Sequence, residues 1–418
     1  MLIQGLGILV LSAILCHVLV WVVRQRAEVR AVDQIATGEL TYLQRLTEEA
    51  EARARTHIER TNLLWAGWRK FRVLAVMDET EAVKSFYLAP HDKKPLPSFL
   101  PGQHVAVQVK SPDRRDPIIR CYSLSCAPND EFYRISVKRE GPSPERPAQP
   151  AGLMSSHLHS SLEEGDFVDV KSPSGAFSLD LSQHTPIVLI GGGIGITPVF
   201  SMLDSVVAQR SGREIWFFLG VRNRSEHALR VQLEALADRY ENLHLMVCYS
   251  EPSNDCKLGR DYHRHGFVSV DLLRSMLPSN NYDFYFCGPP GMMNSLHEGL
   301  SAWGVPADRL HFEAFGPATV GKSVKPSVDS ERSESFQIKF MRSDKTLNWE
   351  PTEGSLLDLA DRHGISVESG CRSGNCGTCM TAIRTGEVDY PTPPGEMPDD
   401  GACLLCTAIP RSDLELDA

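Results

Sequence analysis

The sequence lacks any excess of positive charge: its 418 residues carry a formal net charge of −10. That balance argues against a nucleic-acid binder, because phosphate recognition shows as a basic face. It also lacks the economy of a secreted disulfide scaffold. Eleven cysteines are an odd number in so long a chain, and five of them crowd between Cys371 and Cys406. Such crowding points to a metal site in a reducing compartment. Charge is missing altogether from Leu2 to Val23, and nothing basic precedes that run, so a cleavable leader has no charged start. At about 1.5 Å per residue the run would cross a hydrocarbon layer of about 30 Å. With Arg24, Arg26 and Arg30 on its C-terminal flank, it predicts a transmembrane helix over 1–23. The N-terminus would lie outside and the catalytic domains in the cytoplasm. Between residues 24 and 64 proline is absent and Gly38 is the sole glycine, which predicts a helical stalk over 24–66.

The remaining chain is long enough for several domains, at about 100–200 residues per domain. Over 67–182, short apolar alternations such as Val105–Val109 and Tyr133–Val137 are separated by Pro and Gly clusters. They predict an antiparallel β-barrel. From Pro186 the texture changes. Apolar strands at Ile187–Ile190, Ile215–Leu219, Leu243–Val247 and Phe284–Phe286 alternate with helical stretches, predicting a parallel α/β domain over 183–317. A linker comes next over 318–334, and a third domain fills 335–418.

The C-terminal cysteines carry the most specific spacing. Cys371-x4-Cys376-x2-Cys379 with a distant Cys406 matches the plant-type pattern for a [2Fe-2S] centre, whose irons need four thiolates. Ser369, Gly370, Ser373, Gly374 and Gly377 surround them, small enough for backbone amides to approach the sulfurs. A rival pairing of Cys376-x2-Cys379 with Cys403-x2-Cys406 would clamp tetrahedral zinc. It leaves Cys371 and its glycines unexplained, and it makes Cys403 a ligand rather than a bystander.

Two further motifs point to a bound nucleotide cofactor. Arg120-Cys121-Tyr122-Ser123 lies between predicted strands and is followed by a strand through Val137 and Lys138, then by Gly152-Leu153-Met154-Ser155 opening a helix. An arginine pairs with a pyrophosphate in a fork, a tyrosine stacks on an isoalloxazine, and small residues at a helix start form an anion site. Next, the strand Ile187–Ile190 runs into Gly191-Gly192-Gly193-Ile194-Gly195-Ile196-Thr197. Residues without side chains there let a pyrophosphate come close to a helix N-terminus. Cys287-Gly288-Pro289-Pro290 ends a later strand at the same predicted sheet edge.

In their order these motifs resemble the ferredoxin-NADP reductase superfamily, most closely the reductase module of flavohaemoglobins, over roughly Lys70 to Pro317. The last domain resembles plant-type ferredoxins, which implies an α+β (β-grasp) fold over 335–418. By that resemblance Arg120, Tyr122 and Ser123 contact the flavin and Gly152, Met154 and Ser155 meet its phosphates. Cys287 lies beside the nicotinamide, Phe315 of Glu313-Ala314-Phe315 packs on the flavin, and Cys371, Cys376, Cys379 and Cys406 hold the cluster. FAD is favoured over FMN by Pro173-Ser174-Gly175-Ala176-Phe177. The family's NADPH-selective members carry an Arg where this chain has Glu251, a carboxylate suited to ribose hydroxyls, so NADH is favoured over NADPH.

The implied activity is a membrane-anchored NAD(P)H-dependent oxidoreductase. It would pass hydride to FAD and then single electrons to a [2Fe-2S] cluster, for a separate and membrane-associated acceptor such as an oxygenase, hydroxylase or desaturase. The alternatives are a quinone or small-oxidant reductase and a non-catalytic membrane redox sensor.

Overall fold

Residues 15–26 are helical in the computed structural model, and they correct the N-terminal expectation. Twelve residues rise about 18 Å, well short of a hydrocarbon layer of about 30 Å. Among the described residues no helix is long and apolar enough to cross a membrane. The residues described are 15–26, 47, 63–110, 117–141, 151–313, 335–370, 372, 374, 377–391, 394 and 398–418. Most of the expected stalk and all of the expected linker therefore lie outside them. The chain divides into two units, Met1–Leu63 and Leu64–Ala418.

In the second unit the barrel is built from β1 (Arg69–Thr80), β2 (Val83–Pro90), β3 (His104–Val109), β4 (Ile118–Ser123), β5 (Tyr133–Lys138) and β6 (Phe167–Val170), with helix α1 (Leu153–Ser161) before β6. The strand order is β4-β3-β6-β1-β2-β5. An antiparallel bridge between Leu124 and Ile135 brings the two ends of that sheet together. Phe71, Phe86, Val105, Val107, Ile135 and Val137 fill the interior. Tyr133 is fully buried among them and donates its hydroxyl to the Pro97 carbonyl at 2.9 Å.

A parallel sheet comes next, made of β7 (Ile187–Gly192), β8 (Ile215–Val221), β9 (Leu243–Tyr249), β10 (Arg264–His265), β11 (Asp283–Cys287) and β12 (Leu310–Glu313). Its helices are α2 (Ile196–Ala208), α3 (Arg230–Arg239), α4 (Val270–Met276) and α5 (Pro290–Ala302). Strands buried on both faces must be apolar throughout, and alternate residues must serve opposite faces. Accordingly Ile187, Leu189, Phe217 and Leu219 pack on one side with Val199 and Leu203 of α2. Val188, Ile190, Phe218, Phe284 and Phe286 pack on the other with α4 and α5. The order β10-β9-β8-β7-β11-β12 reverses direction between β7 and β11. That switch point opens a crevice beyond the strands' carboxyl ends, where ligands of such sheets collect.

The last domain pairs β13 (Phe336–Phe340) with β14 (Lys345–Trp349), then carries helix α6 (Leu356–Arg362) and strands β15 (Met380–Thr385), β16 (Val388–Asp389), β17 (Ala402–Leu404), β18 (Ile409–Pro410) and β19 (Leu414–Leu416). The order β14-β13-β19-β15-β17, with β13 parallel to β19, and one helix packed on the sheet make a β-grasp. A capping box starts α6: Ser355 Oγ accepts from the Asp358 N–H, and the Asp358 carboxylate accepts from the Ser355 N–H.

Candidate functional site

A cavity of about 300 Å³ opens between the barrel and the start of α2. Its wall holds Arg120, Tyr122, Ser123, Val137, Lys138, Gly152, Met154, Ser155 and Thr197, nine residues the sequence singled out from four separate stretches. Cys121, Ser136, Glu140, Leu153 and Ile194 complete the lining. These five sat inside the same motifs but had not been singled out, because sequence alone does not say which neighbour of a motif residue turns inward.

Local hydrogen bonding shapes the phosphate end. The Gly152 N–H donates to the Glu140 carbonyl at 2.9 Å. Ser155 Oγ accepts from the Glu140 N–H at 3.1 Å and donates to the Gly152 carbonyl at 3.3 Å. A Cβ at Gly152 would stand 2.6 Å from Ser155 Oγ, so a side chain there would break this clasp at the start of α1. No side chain caps that helix, and its first N–H groups are free to meet an anion. His159, in its last turn, has a pKa lowered by burial, and its Nε2–H donates to the Val137 carbonyl at 2.8 Å.

The ring end is drier. Ser123 is buried, and its Oγ has no hydrogen-bond partner among the described residues. An orphaned hydroxyl in a cavity wall fits a ligand with a polar ring edge. Burial pushes the Tyr122 phenol up, with Arg120 opposing in part, so Tyr122 stays neutral. Lys138 reaches across to Glu226 at 3.2 Å. The donor set therefore fits FAD: a guanidinium and a helix start for the pyrophosphate, an aromatic and an orphaned hydroxyl for the ring.

At the switch point the chain passes itself at backbone distance. Gly191 lies in register with Cys287. A Cβ at Gly195 would run into the Cys287 carbonyl and stand 2.7 Å from the Gly288 nitrogen. At Gly192 it would meet Met292 Sδ at 2.6 Å and Pro289 Cδ at 2.8 Å, and at Gly288 the Gly192 Cα at 3.0 Å. Gly193 has φ +54 with open space around it. Thr197 Oγ1 donates to the Ile194 carbonyl at 2.9 Å, fixing the turn into α2. At Gly192, Gly195 and Gly288 these contacts allow nothing larger than hydrogen.

Cys287 ends β11 fully buried, and its thiol is raised well above the usual range by burial first and by the Glu313 charge second. It is a neutral packing group, not a nucleophile. Glu313 ends β12 with Oε1 3.6 Å from His104 Nδ1 of β3, and its Oε2 has no hydrogen-bond partner among the described residues. Phe315 lies outside the described residues. Glu251 is exposed just beyond β9, where its N–H donates to the Arg222 carbonyl at 2.8 Å. Arg222 faces Glu226 at 3.9 Å, and Arg224 faces Asp261 at 3.9 Å.

Of the four cysteines expected to hold the cluster, Cys379 is buried and Cys406 half-buried, while Cys371 and Cys376 lie outside the described residues. Arg372, Gly374 and Gly377 have φ of +55, +77 and +64, and a Cβ at Gly374 would stand 2.9 Å from Pro394 Cβ. This left-handed loop fits the wrapping of a cluster by backbone amides. Cys403 is wholly enclosed with Leu404 and Leu405 in the apolar core, and burial pushes its thiol up to about 12. Its place in the apolar core fits the bystander role that the [2Fe-2S] pattern gives it.

Three family models match in order: an oxidoreductase FAD-binding domain over 71–179, an oxidoreductase NAD-binding domain over 189–298, and a 2Fe-2S iron-sulfur cluster binding domain over 338–411. A solved relative settles the first two. The flavohem-like FAD/NAD binding domain of nitric oxide dioxygenase from Vibrio cholerae is 33% identical at a TM-score of 0.53, covering 60% of this chain and 99% of that one. The chain belongs to the ferredoxin-NADP reductase superfamily. It joins that oxidoreductase module, with its FAD and nicotinamide domains, to a C-terminal [2Fe-2S] ferredoxin domain.

Flavohemoprotein from Bacillus cereus is 37% identical over 254 residues, which take in 61% of this chain. The Rhizobium meliloti flavohemoprotein is 40% identical over 253 residues, 60% of this chain. The match spans about 62% of the length of these curated relatives. Phthalate dioxygenase reductase, 24% identical with a TM-score of 0.52, shares the fold over 84% of this chain and 98% of its own.

The reductase module can be probed at two of these contacts. At pH 8 Cys287 should resist iodoacetamide in the native protein and react after unfolding, because its raised pKa keeps the thiol protonated well into the alkaline range. Native labelling as fast as that of the half-buried Cys256 would contradict this environment. Gly195→Ala should weaken NADH binding by at least about tenfold, measured by fluorescence titration, because the new methyl meets immovable backbone. Unchanged affinity would mean that the close crossing is not part of the binding site.

Proposed function

We propose that this protein takes hydride from NADH and delivers its electrons one at a time, through its own ferredoxin domain, to a separate protein acceptor of the oxygenase or hydroxylase class. The observation that supports this most is the shared cavity. Residues of the barrel motifs and of the glycine turn line one space, on a chain that also carries the four-cysteine pattern. When bound, FAD accepts two electrons as hydride and gives them up singly, which suits a cluster that carries one at a time.

The work of the protein's own residues is to position and to exclude water. Arg120 and the start of α1 at Gly152, Met154 and Ser155 would hold the pyrophosphate. Tyr122 would cover the ring, and Ser123 would give its orphaned hydroxyl to the ring edge, while Val137 and Lys138 border it from β5. Gly191, Gly192, Gly193, Gly195 and Thr197, with Gly288 and Pro289 opposite, would seat the nicotinamide dinucleotide. Cys287, neutral and buried, would pack against the nicotinamide, and Phe315 would add an aromatic face. Cys371, Cys376, Cys379 and Cys406 would hold the cluster.

NADH is the proposed donor. Glu251 offers a carboxylate to ribose hydroxyls, whereas Arg222 and Arg224, which could grip a 2′-phosphate, already face Glu226 and Asp261. Phthalate dioxygenase reductase, which has the same architecture, is described as moving electrons from pyridine nucleotides to [2Fe-2S]. An acceptor of the oxygenase class is inferred by analogy with that protein.

Cys379→Ser separates the two halves of the route. NADH-driven reduction of a dye that draws on the flavin should survive, while reduction of a cytochrome should be lost together with the cluster's colour. Equal loss of both activities would contradict a linear path. Glu251→Arg should shift preference toward NADPH, measured as the ratio of kcat/KM values. An unchanged ratio would remove Glu251 from the ribose site.

A further inference from the structure

A buried row of hydroxyls leads away from the cavity wall. Ser136 of β5 lines the cavity, and its Oγ is 2.7 Å from that of Ser85, its register partner on β2. Ser85 Oγ donates to Glu79 Oε1 at 2.7 Å. On the other side Ser136 Oγ lies 2.9 Å from Ser125 Oγ, which accepts from Arg134 Nε at 3.2 Å. Ser85 and Ser125 are fully buried, and Ser136 is 4% exposed.

A guanidinium only donates and a carboxylate only accepts, so the two ends fix the direction of the protons between them. Ser85 has one proton and gives it to Glu79, so it must accept from Ser136. Ser125 donates either to Ser136 or to the Arg134 carbonyl at 3.2 Å. In both arrangements the segment Ser136→Ser85→Glu79 points the same way, out of the cavity.

Glu79 is placed for this by an irregularity in its strand. Asp78 pairs with Lys84 and Thr80 with Val83, which leaves Glu79 as the extra, unpaired residue of a bulge, and bulges re-aim side chains. Its Oε2 accepts from the Leu229 N–H of the nucleotide domain at 3.3 Å. Leu229 itself is held at φ +56. Glu79 is half-buried, so the row runs from the cavity wall to the edge of water. The charged groups nearby are engaged elsewhere. Lys84 lies 3.7 Å from Asp78 and donates to the His159 carbonyl. Arg230 is bound to Glu234 and Asp261, and Arg134 closes the far end of the row.

We propose that Ser136, Ser85 and Glu79 are the exit route for the proton carried by the transferred hydride. This rests on the function proposed above. A hydride is two electrons and one proton. When both electrons leave singly to a one-electron acceptor A, the balance is NADH + 2 A(ox) → NAD⁺ + H⁺ + 2 A(red). One proton per NADH must therefore leave the site, and the hydroxyl row is a polar path out of its wall. Ser136 takes it on a free lone pair and passes its own proton to Ser85. Ser85 passes its own to Glu79, and the Glu79 carboxyl releases it to water.

The test is a single turnover of the FAD-loaded full chain with one equivalent of NADH and excess ferricyanide, in weak buffer with a pH-indicator dye. In wild type, proton release should keep pace with electron departure. In Glu79→Gln and Ser85→Ala the rate of release relative to recovery of the flavin colour should fall at least about tenfold, the scale of a lost proton-transfer group, and Ser85→Thr should restore it. Time-resolved infrared spectra of the same turnover should show a transient carboxylic-acid C=O band that shifts in D₂O and is missing from Glu79→Gln.

Release in step with recovery of the flavin colour in both variants, or a band that persists without Glu79, would overturn the route. A purely structural role would lower thermal stability or FAD content and leave the ratio unchanged. Should Ser85→Ala not fold, Glu79→Gln at the half-buried end decides alone. If wild type itself fails to bleach with NADH, it is the proposed function that falls, not the proton route alone.

Discussion

The site depends on two stretches of backbone passing closer than any side chain permits. Gly191, Gly192 and Gly195 at the end of β7 face Cys287 and Gly288 at the end of β11, and a Cβ on Gly195 would occupy the space of the neighbouring peptide. Because β7 and β11 flank the point where strand order reverses, this crossing builds the floor of the ligand crevice as well as holding the sheet together. The barrel then closes the crevice from above. Ser201 Oγ donates to the Cys126 carbonyl at 2.7 Å, and the Ala127 N–H donates to the Asp204 carboxylate at 2.8 Å. Together these ties fix the barrel's cavity wall against the start of α2.

The chemistry of the cavity is one of neutral groups held in place. Tyr122 and Cys287 are both driven toward their protonated forms by burial, and His159 is driven toward its neutral form. None of them is tuned as a strong acid or base, which is what a site needs when its cofactors carry the reaction and its side chains supply position and polarity. The exception is the serine row to Glu79. It is a polar path through an otherwise apolar barrel, and a polar path through low dielectric is costly unless every member is satisfied.

Much of this was legible in the sequence wherever the physics is local. A glycine turn after an apolar strand, the Arg120-Cys121-Tyr122-Ser123 segment and the Gly152 helix start each impose their geometry on neighbouring residues, and they meet in one cavity. The burial of Ile187, Val188, Leu189 and Ile190 on both faces of the sheet could likewise be read from their apolar continuity. The N-terminal span rested on hydropathy alone, and among the described residues no helix is long and apolar enough to cross a membrane. Contacts between distant segments were invisible as well. Lys138 with Glu226, His104 with Glu313, and Glu79 with the Leu229 N–H depend on how two domains pack. The bulge that frees Glu79 depends on a register shift that no periodicity in β1 announces.

The central claim is that electrons entering as a pair at the cavity leave singly through the ferredoxin domain of the same chain. Its most direct test is anaerobic addition of one equivalent of NADH to the purified protein, with rapid freezing and electron paramagnetic resonance alongside flavin absorbance. Bleaching of the flavin accompanied by the signal of a reduced [2Fe-2S] cluster, with no other protein present, is the result expected. Bleaching with a cluster that stays oxidised at every time point would contradict it, since the pair would then have no one-electron outlet within the chain.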